Sequence, residues 1–163
     1  MIRLLQPGDE HEVAALYRAN RDFLRPFEPT RPDEFFTAAA QRRRIDRIGA
    51  DVWRWAIELD GRMVGTIALA DVVREPLQLG NLGYFVDRAH TGRGLATCAV
   101  AEVVQFAFGE AALHRLEAGT LPDNHASQRV LEKNGFVRFG LARRLIEING
   151  AWRDHVLFEL VQD

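Results

Sequence analysis

The chain runs from an extended apolar segment through a Gly-x-Gly turn directly into a helical pattern, and this arrangement limits the folds open to it. Leu79–Val86 is typical of a strand, Gly92 and Gly94 lie in the turn, and apolar residues recur at helical spacing from Leu95 to Ala107. A glycine-rich turn lets backbone N–H groups approach an anion, and the following helix adds unpaired N-terminal donors and the positive end of its dipole. The sequence therefore predicts a phosphate-binding turn here.

The bulk composition is that of an ordinary globular protein. The chain has 163 residues, of which 47% are hydrophobic and 27% charged, with a formal net charge of −2. This length favours a single domain spanning residues 1–163. The absence of a basic excess argues against direct nucleic-acid binding, and the consecutive Arg42, Arg43 and Arg44 are interpreted as a solvated helix face.

Cysteine and histidine usage gives no indication of a metal site. Cys98 is the only cysteine, so no intramolecular disulfide can form, and His11, His114 and His125 lack metal-ligand spacing. No apolar run approaches the roughly 18 residues of a membrane span, and the first residues lack a signal core. We expect no metal, no membrane association and a cytoplasmic location.

The first half of the chain alternates between strand, helix and loop signals. Ile2–Leu5 is followed by Asp9 at the expected N-cap of an amphipathic helix, and Phe23–Pro32 contains three prolines, which favours an ordered loop. A basic helix is predicted over Phe35–Ile48. A hairpin follows, whose strands flank the Asp60-Gly61 turn.

Beyond the glycine turn, the pattern predicts a strand, a short helix and a closing hairpin. The strand is Arg115–Leu121, Asn124 caps the helix, and Asn134-Gly135 ends it. The last hairpin joins Phe136–Ile148 to Trp152–Val161 around Asn149-Gly150. This order predicts an α/β protein with a mixed central sheet of about seven strands, an antiparallel N-terminal part and about four flanking helices.

This order, together with several motifs, resembles the acyl-CoA N-acyltransferases of the GNAT superfamily. The segment Leu121–Phe136 contains Asn-x-x-Ser followed by Glu-Lys-x-Gly-Phe, as in the family's second signature. Asn20–Pro29 and Trp152–Leu157 are similar to the RimJ/RimL type, which acetylates the N-termini of ribosomal proteins. The resemblance covers essentially the whole chain and implies a GNAT fold.

Two other phosphate-binding motifs are excluded by the residues present. A dinucleotide-binding turn requires Gly-x-Gly-x-x-Gly after the first strand, whereas Thr97 occupies the third glycine position and mainly antiparallel strands precede the turn. A Walker-type loop requires Gly-Lys-Ser/Thr, which the chain lacks.

The resemblance implies that the bound donor is acetyl-CoA. Its pantetheine arm would lie along the backbone of Tyr84, Phe85 and Val86, and Asn124 would bond that arm. Many family members carry Gln or Arg where this chain has Ala89, and His90 could partly substitute. The pyrophosphate would lie on the turn and first helical residues, which are His90, Thr91, Gly92, Arg93, Gly94, Leu95, Ala96 and Thr97. Arg88, Arg93, Arg129 and Lys133 are further candidate phosphate partners.

Acyl transfer needs a deprotonated amine, an oxyanion donor and a proton for the leaving thiolate. Glu117 is the preferred base by resemblance, and Glu147 is a second candidate. The position of the family's usual acid, a tyrosine, is Leu131 here, so the resemblance to the RimJ/RimL type assigns the acid role to Ser127. Helix capping alone also explains Asn124 and Ser127. The oxyanion donor would be a main-chain N–H near Val86.

The acceptor is predicted to be a primary amine. An N-terminal α-amine has a pKa of roughly 7.7 to 8, against about 10.4 for lysine, so a weak base suffices. Phe27 and Glu28, in the proline-bearing loop, would offer an apolar contact and a carboxylate to a cationic N-terminus. The alternatives are acetylation of a small amine such as a polyamine or antibiotic, or a CoA-binding module without turnover. The sequence leaves monomer and homodimer open.

Overall fold

A computed structural model describes residues 1–49 and 51–162, so residues 50 and 163 of the predicted 1–163 domain lie outside the described residues. The strands and helices follow one another in the predicted order. The strands are β1 (Ile2–Leu4), β2 (Trp53–Leu59), β3 (Arg62–Val73), β4 (Leu79–Val86), β5 (Arg115–Thr120), β6 (Val137–Ile148) and β7 (Ala151–Val161). The helices are α1 (Glu10–Ala19), α2 (Arg21–Leu24), α3 (Ala38–Ile45), α4 (Leu95–Phe108) and α5 (His125–Lys133).

The strands form one mixed sheet in the order β1-β2-β3-β4-β5-β7-β6. The pairs β1-β2, β2-β3, β3-β4, β5-β7 and β6-β7 are antiparallel, whereas β4 and β5 are parallel. The parallel pair needs a crossover connection, and α4 supplies it. The predicted α/β class, the seven strands and the antiparallel N-terminal part are confirmed.

Helices cover the sheet from both sides and form two apolar clusters. On one face α4 contributes Leu95, Ala99 and Val103 to a cluster with strand residues such as Ile57 and Leu116. On the other face α1 and α3 pack against the sheet, and their cluster includes Phe85 of β4. Both faces of β4 are therefore anchored in buried apolar contacts, which fixes this strand firmly.

Both predicted hairpin turns are confirmed by their backbone angles. Asp60-Gly61 has φ of 50° and 74°, and Asn149-Gly150 has φ of 51° and 74°. Two consecutive left-handed residues are the geometry of a type I′ turn, which Asn, Asp and Gly adopt at low cost. The predicted left-handed end of α5 is also present, because Gly135 has φ of 84°.

Three local predictions need correction. The helix predicted over Phe35–Ile48 is a 3₁₀ turn at Asp33–Phe36 followed by α3, because Thr37 is extended and its hydroxyl caps α3 by accepting from the Ala40 N–H at 3.2 Å. The Phe23–Pro32 loop begins inside α2, a one-turn helix that brings the helix count to five among the described residues. Asp9 precedes α1, but its carboxylate pairs with Arg3 and does not cap the helix.

Candidate active site

The hydrogen-bond ladder between β4 and β5 ends while both strands continue. It joins three residue pairs, from Leu79 opposite Arg115 to Asn81 opposite Glu117. Beyond Asn81, β4 runs on to Val86 and β5 runs on to Thr120. The two strands therefore diverge in the middle of the sheet, and the facing edge of β4 carries peptide groups that β5 does not pair. Backbone polar groups in such a position need partners, which an extended ligand with amide groups can supply.

A cavity of about 750 Å³ fills the space between the diverging strands, and we call it the splay cavity. It is bounded by the end of β4, the glycine turn, the start of α4, the end of β5 and α5. Nearly all of the predicted donor-binding residues line it. These are Tyr84, Phe85, Val86, His90, Thr91, Gly92, Gly94, Leu95, Ala96, Thr97, Asn124 and Ser127, and Phe27 and Glu28 line it as well.

The glycine turn presents backbone N–H groups without side-chain obstruction. Gly92 and Gly94 have φ of 76° and 77°, a region that favours glycine, and no atom would contact a Cβ at either position. Gly94 is the N-cap of α4 and no side chain caps the helix. The first N–H groups of α4 therefore face the cavity with the positive end of the helix dipole, which is the requirement for binding a phosphate.

Two side-chain amides hold the turn and α4 in place. Asn20, at the end of α1, is almost fully buried, and its side-chain oxygen accepts from the Arg88 N–H at 2.9 Å. Asn134 donates to the Thr97 carbonyl at 3.2 Å and so ties α5 to the first turn of α4. The donor groups are thus fixed before any ligand binds.

His90 lines the cavity and is oriented by Asp87. The His90 Nδ1 lies 2.8 Å from the Asp87 carboxylate. Burial acts to raise the pKa of Asp87, but hydrogen bonds from His90, Asn20 and the backbone outweigh it and hold that pKa below its usual value. Asp87 therefore stays ionised and fixes the ring. Contact between His90 and a donor phosphate stays a prediction.

Ser127 and Tyr84 form a hydroxyl pair in the cavity wall. The Tyr84 hydroxyl lies 2.9 Å from Ser127 Oγ and 3.2 Å from the Ser127 carbonyl oxygen. Burial raises the pKa of Tyr84 to about 12, although the hydrogen bond with Ser127 acts in the opposite direction. The phenol is therefore protonated near neutral pH. The sequence interpretation gave Tyr84 only a backbone role, because the neighbour of its hydroxyl comes from α5, far along the chain.

Asn124 has the capping role that the sequence left open. Its side-chain oxygen accepts from the Ser127 N–H at 3.2 Å, and Asn124 lines the cavity at the same time. Two further polar residues that the sequence did not select also line the cavity, Thr120 and His155. The Thr120 hydroxyl is buried and has no hydrogen-bond partner among the described residues, so it is available to a ligand.

Glu117 does not line the splay cavity, although its neighbour Ala118 does, and its assignment as the base stays a prediction. Glu117 accepts from Arg115 Nε at 2.7 Å, and Arg115 also pairs with Glu159. Its position lies where β4 and β5 are still paired, before the strands diverge. Glu147 is exposed on β6 and lines none of the cavities described here.

The predicted phosphate partners divide into two groups. Arg129 and Lys133 line the splay cavity from α5. Arg88 and Arg93 do not line it, and their side chains are exposed. Of the residues predicted to bind the pyrophosphate, Arg93 is therefore the one that is not part of the cavity wall.

A second cavity, of about 400 Å³, adjoins the splay cavity on the α1 and α3 side of the sheet. The two cavities share Glu28 and the β4 segment Leu82–Phe85. Burial raises the pKa of Glu28, and the positive charges of Arg31 and Arg44 oppose this only in part. A carboxylate with a raised pKa therefore lies at the junction of the two cavities.

Two negative findings apply to the described residues, 1–49 and 51–162. No group of three or more His, Cys, Asp or Glu side chains could hold a metal ion. No helix there has the length and hydropathy needed to cross a membrane.

Comparisons with known proteins agree with this architecture. The family described as "Acetyltransferase (GNAT) domain" matches residues 1–137. The probable N-acetyltransferase YjcK of Bacillus subtilis (strain 168) is 41% identical over 167 residues, covering 98% of this chain and 92% of that protein.

Two solved structures are similar over almost the whole chain. Ribosomal-protein-S5-alanine acetyltransferase from Vibrio fischeri superposes with a TM-score of 0.95 at 30% identity, covering 99% of this chain and 92% of that one. RimJ from Mycobacterium smegmatis, solved in complex with CoA-disulfide, gives a TM-score of 0.91 at 30% identity, covering 98% and 80%.

These matches show an acetyl-CoA-dependent N-acetyltransferase, and its sheet opens between a parallel strand pair with an anion-binding turn at one end. The chain belongs to the GNAT acetyltransferase family. The resemblance to the RimJ/RimL type is confirmed by these neighbours.

The residues present fit acetyl-CoA as cosubstrate. The unpaired edge of β4 suits the amides of pantetheine, the turn from Thr91 to Thr97 suits the pyrophosphate, and the unpartnered Thr120 hydroxyl offers one further bond. Arg129 and Lys133 add positive charge beside the cavity.

The role of the α4 N-terminus can be tested by adding a negative charge there. We expect Ala96→Glu to weaken CoA binding at least tenfold by calorimetry, because the carboxylate competes with the phosphate for the same donors. The same charge favours the helix itself, so the unfolding midpoint should not fall. Gln105→Glu, exposed further along α4, is the matched control. Equal CoA affinity in both variants would contradict this assignment.

Proposed function

We propose that this chain transfers an acetyl group from acetyl-CoA to the N-terminal α-amine of a protein, by direct attack within a ternary complex. The observation that carries the proposal is the junction of the two cavities at Glu28 and the β4 segment Leu82–Phe85. A donor in the splay cavity and an acceptor in the second cavity would meet there. No acetyl-enzyme intermediate is needed.

The reaction needs only two proton transfers besides bond exchange. The neutral amine nitrogen attacks the thioester carbonyl, the carbon–sulfur bond breaks, the amine loses a proton to a base and the thiolate gains one from an acid. A main-chain N–H near Val86 would stabilise the oxyanion. An α-amine is already partly neutral near pH 7, which reduces the demand on the base.

An N-terminal acceptor is supported by the similarity to a ribosomal-protein-S5-alanine acetyltransferase at 30% identity. A ribosomal protein as acceptor would place the reaction in the cytoplasm, which is part of the same proposal. The loop carrying Phe27 and Glu28 lines the splay cavity, so both residues lie where an incoming amine would pass. Phe27 packs edge-on against Phe23, with ring centroids 6.2 Å apart, which gives this entrance an apolar wall.

Incubation with acetyl-CoA and matched acceptors tests this function. We expect acetylation of peptides with a free α-amine and no lysine, located by mass-spectrometric fragmentation. N-terminally blocked peptides with one lysine, and spermidine, should react at least tenfold more slowly. Preferential acetylation of spermidine would assign the chain to small amines, and thiol release with none of the acceptors would contradict the proposal.

Glu28 is proposed as the base, in place of Glu117. It lines both cavities, whereas Glu117 is paired with Arg115 outside them. Because its pKa is raised, Glu28 is a stronger base than an ordinary carboxylate, and its pKa lies closer to that of an α-amine. The same carboxylate would attract the ammonium form of the acceptor before the proton is lost.

Substitution of Glu28 should change both rate and pH dependence. We expect Glu28→Gln to lower kcat/KM by about 100-fold near neutral pH. In the wild type, activity should rise with pH as Glu28 ionises, and this rise should occur above the ordinary carboxyl pKa of about 4.3. The pH–rate profile of the variant should lack this rising limb. The limb due to the acceptor amine should remain in both proteins.

Two controls make the pH experiment specific. Glu28→Asp should recover part of the rate, and Glu147→Gln, exposed on β6, should behave as wild type. A Glu28→Gln enzyme with an unchanged pH profile would remove Glu28 from the mechanism.

Ser127 and Tyr84 are proposed to deliver the proton to the leaving thiolate. Leu131, which stands at the family's usual tyrosine position, is fully buried and has no proton to give. The Tyr84 phenol instead reaches Ser127 from β4, so the pair can act as a short relay with Ser127 nearest the sulfur. Asn124 would fix the backbone of Ser127 through the N-cap bond.

A double-mutant cycle tests this relay. We expect Ser127→Ala and Tyr84→Phe each to lower kcat at least tenfold while CoA affinity stays within about twofold. The double variant should be little slower than the slower single variant, because both substitutions interrupt one relay. Additive losses, or parallel losses of CoA affinity, would show that the two hydroxyls have a structural role only.

A further inference from the structure

Three arginines converge on the second cavity without a carboxylate partner. Arg31, Arg44 and Arg54 all line it, and none of them lies within 4.0 Å of a carboxylate oxygen among the described residues. Arg3, Arg21, Arg42 and Arg43 in the same half of the chain do have such partners. Arg31, Arg44 and Arg54 therefore form a cationic group in one cavity that no ion pair within 4.0 Å neutralises among the described residues.

Arg54 is the most unusual of the three. Its Nε is buried and has no hydrogen-bond partner among the described residues. Burial lowers the pKa of Arg54 to about 10, and the nearby charges of Arg44 and Arg31 act in the same direction, whereas Tyr17 and Asp71 act to raise that pKa. Arg54 is still charged near neutral pH. Arg54 is half-buried, and its buried Nε without a partner costs stability, a cost that a ligand anion would reduce.

The other two arginines are held in position by neighbours that do not neutralise them. Arg44 donates to the side-chain oxygen of the buried Gln41 at 2.8 Å and stacks over Phe35 with its guanidinium carbon 4.8 Å from the ring centroid. Arg31 stacks over the same ring at 5.0 Å. Stacking leaves the guanidinium edge free to donate to a planar anion.

Two carboxylates also line this cavity, and their positions define what would fit. Glu28 lies at the junction with the splay cavity and Asp71 is exposed on β3. An acceptor amine reaching the junction would meet Glu28, and a negative group on the same acceptor would meet the arginines. The cavity is thus complementary to a molecule that carries both charges.

We propose that the second cavity binds a carboxylate carried by the acceptor close to its reacting amine, through Arg54, Arg44 and Arg31. For the N-terminal acceptor on whose proposed function this inference rests, the carboxylate belongs to an acidic side chain among the residues that follow the first. Arg–carboxylate pairs of this kind are directional as well as strong, so the cavity selects among protein N-termini.

The test is direct binding and turnover with matched peptides. Peptides beginning with Ala carry Glu or Gln at position 2, 3 or 4 and are otherwise identical. The affinity of each peptide for the CoA-bound protein is measured by calorimetry. The kcat/KM of each peptide is measured with acetyl-CoA as the donor. We expect at least one Glu peptide to bind about tenfold more tightly than its Gln counterpart, which corresponds to about 1.4 kcal/mol. The difference should fall with added salt.

Two arginine variants and a control tie the preference to this cavity. Arg44→Gln should reduce the Glu/Gln ratio of affinities toward one, and so should Arg54→Gln if its unfolding midpoint shows that it folds. Arg62→Gln, exposed at the start of β3 and lining none of the cavities described here, should keep the wild-type ratio. An unchanged ratio in folded Arg44→Gln would overturn the proposal.

The outcomes separate this inference from the proposed function. Acetylation of Glu and Gln peptides with equal affinity and rate would overturn the carboxylate site and leave the function standing. Preferential binding of a Glu peptide without acetyl transfer would support the site and contradict the function. Free alanine and glutamate are tested alongside the peptides. Tight binding of the free amino acids would show that the cavity takes the α-carboxylate of a small acceptor and would overturn the assignment to a peptide side chain.

Discussion

The early end of the ladder between β4 and β5 is the constraint on which the rest of the site depends. Three paired positions hold the strands together, and beyond Asn81 and Glu117 each strand follows its other neighbour. The divergence opens the sheet itself, so a ligand can bond β4 by its backbone while the glycine turn and α4 bind its phosphates. Apolar packing on both faces of β4 keeps the opening in place.

The same opening lets the splay cavity and the second cavity meet at one segment of the β4 backbone. The splay cavity carries the anion-binding groups and the Tyr84–Ser127 hydroxyl pair, the second cavity carries Arg31, Arg44 and Arg54, and Glu28 lies at the junction. Donor recognition thus rests largely on backbone groups, which tolerate sequence change. The acceptor recognition proposed above rests on charged side chains, which tolerate change less well, and such a division would let one fold serve many acceptors.

Much of this architecture follows from local sequence signals. The glycine turn, both hairpin turns and the end of α5 are set by residues that adopt left-handed angles, and these were predicted correctly. The Phe35–Ile48 helix was mispredicted because Thr37, a capping residue inside an amphipathic pattern, breaks it. Single residues of this kind override periodicity when they offer the backbone another hydrogen bond.

The proposed catalytic and acceptor-binding groups were harder to predict because they depend on contacts between distant segments. Glu117 is on the expected strand but comes just before the lining of the splay cavity, which begins at Ala118, and its carboxylate pairs with Arg115. Tyr84 meets Ser127 across 43 positions, and Arg54 of β2 lines the same cavity as Arg31 and Arg44, which come from earlier segments of the chain. Amide hydrogen exchange with and without CoA tests the central claim most directly. CoA should slow amide exchange at residues 82–86 and 91–97. Unchanged exchange at these residues, whether or not other segments become protected, would contradict the account.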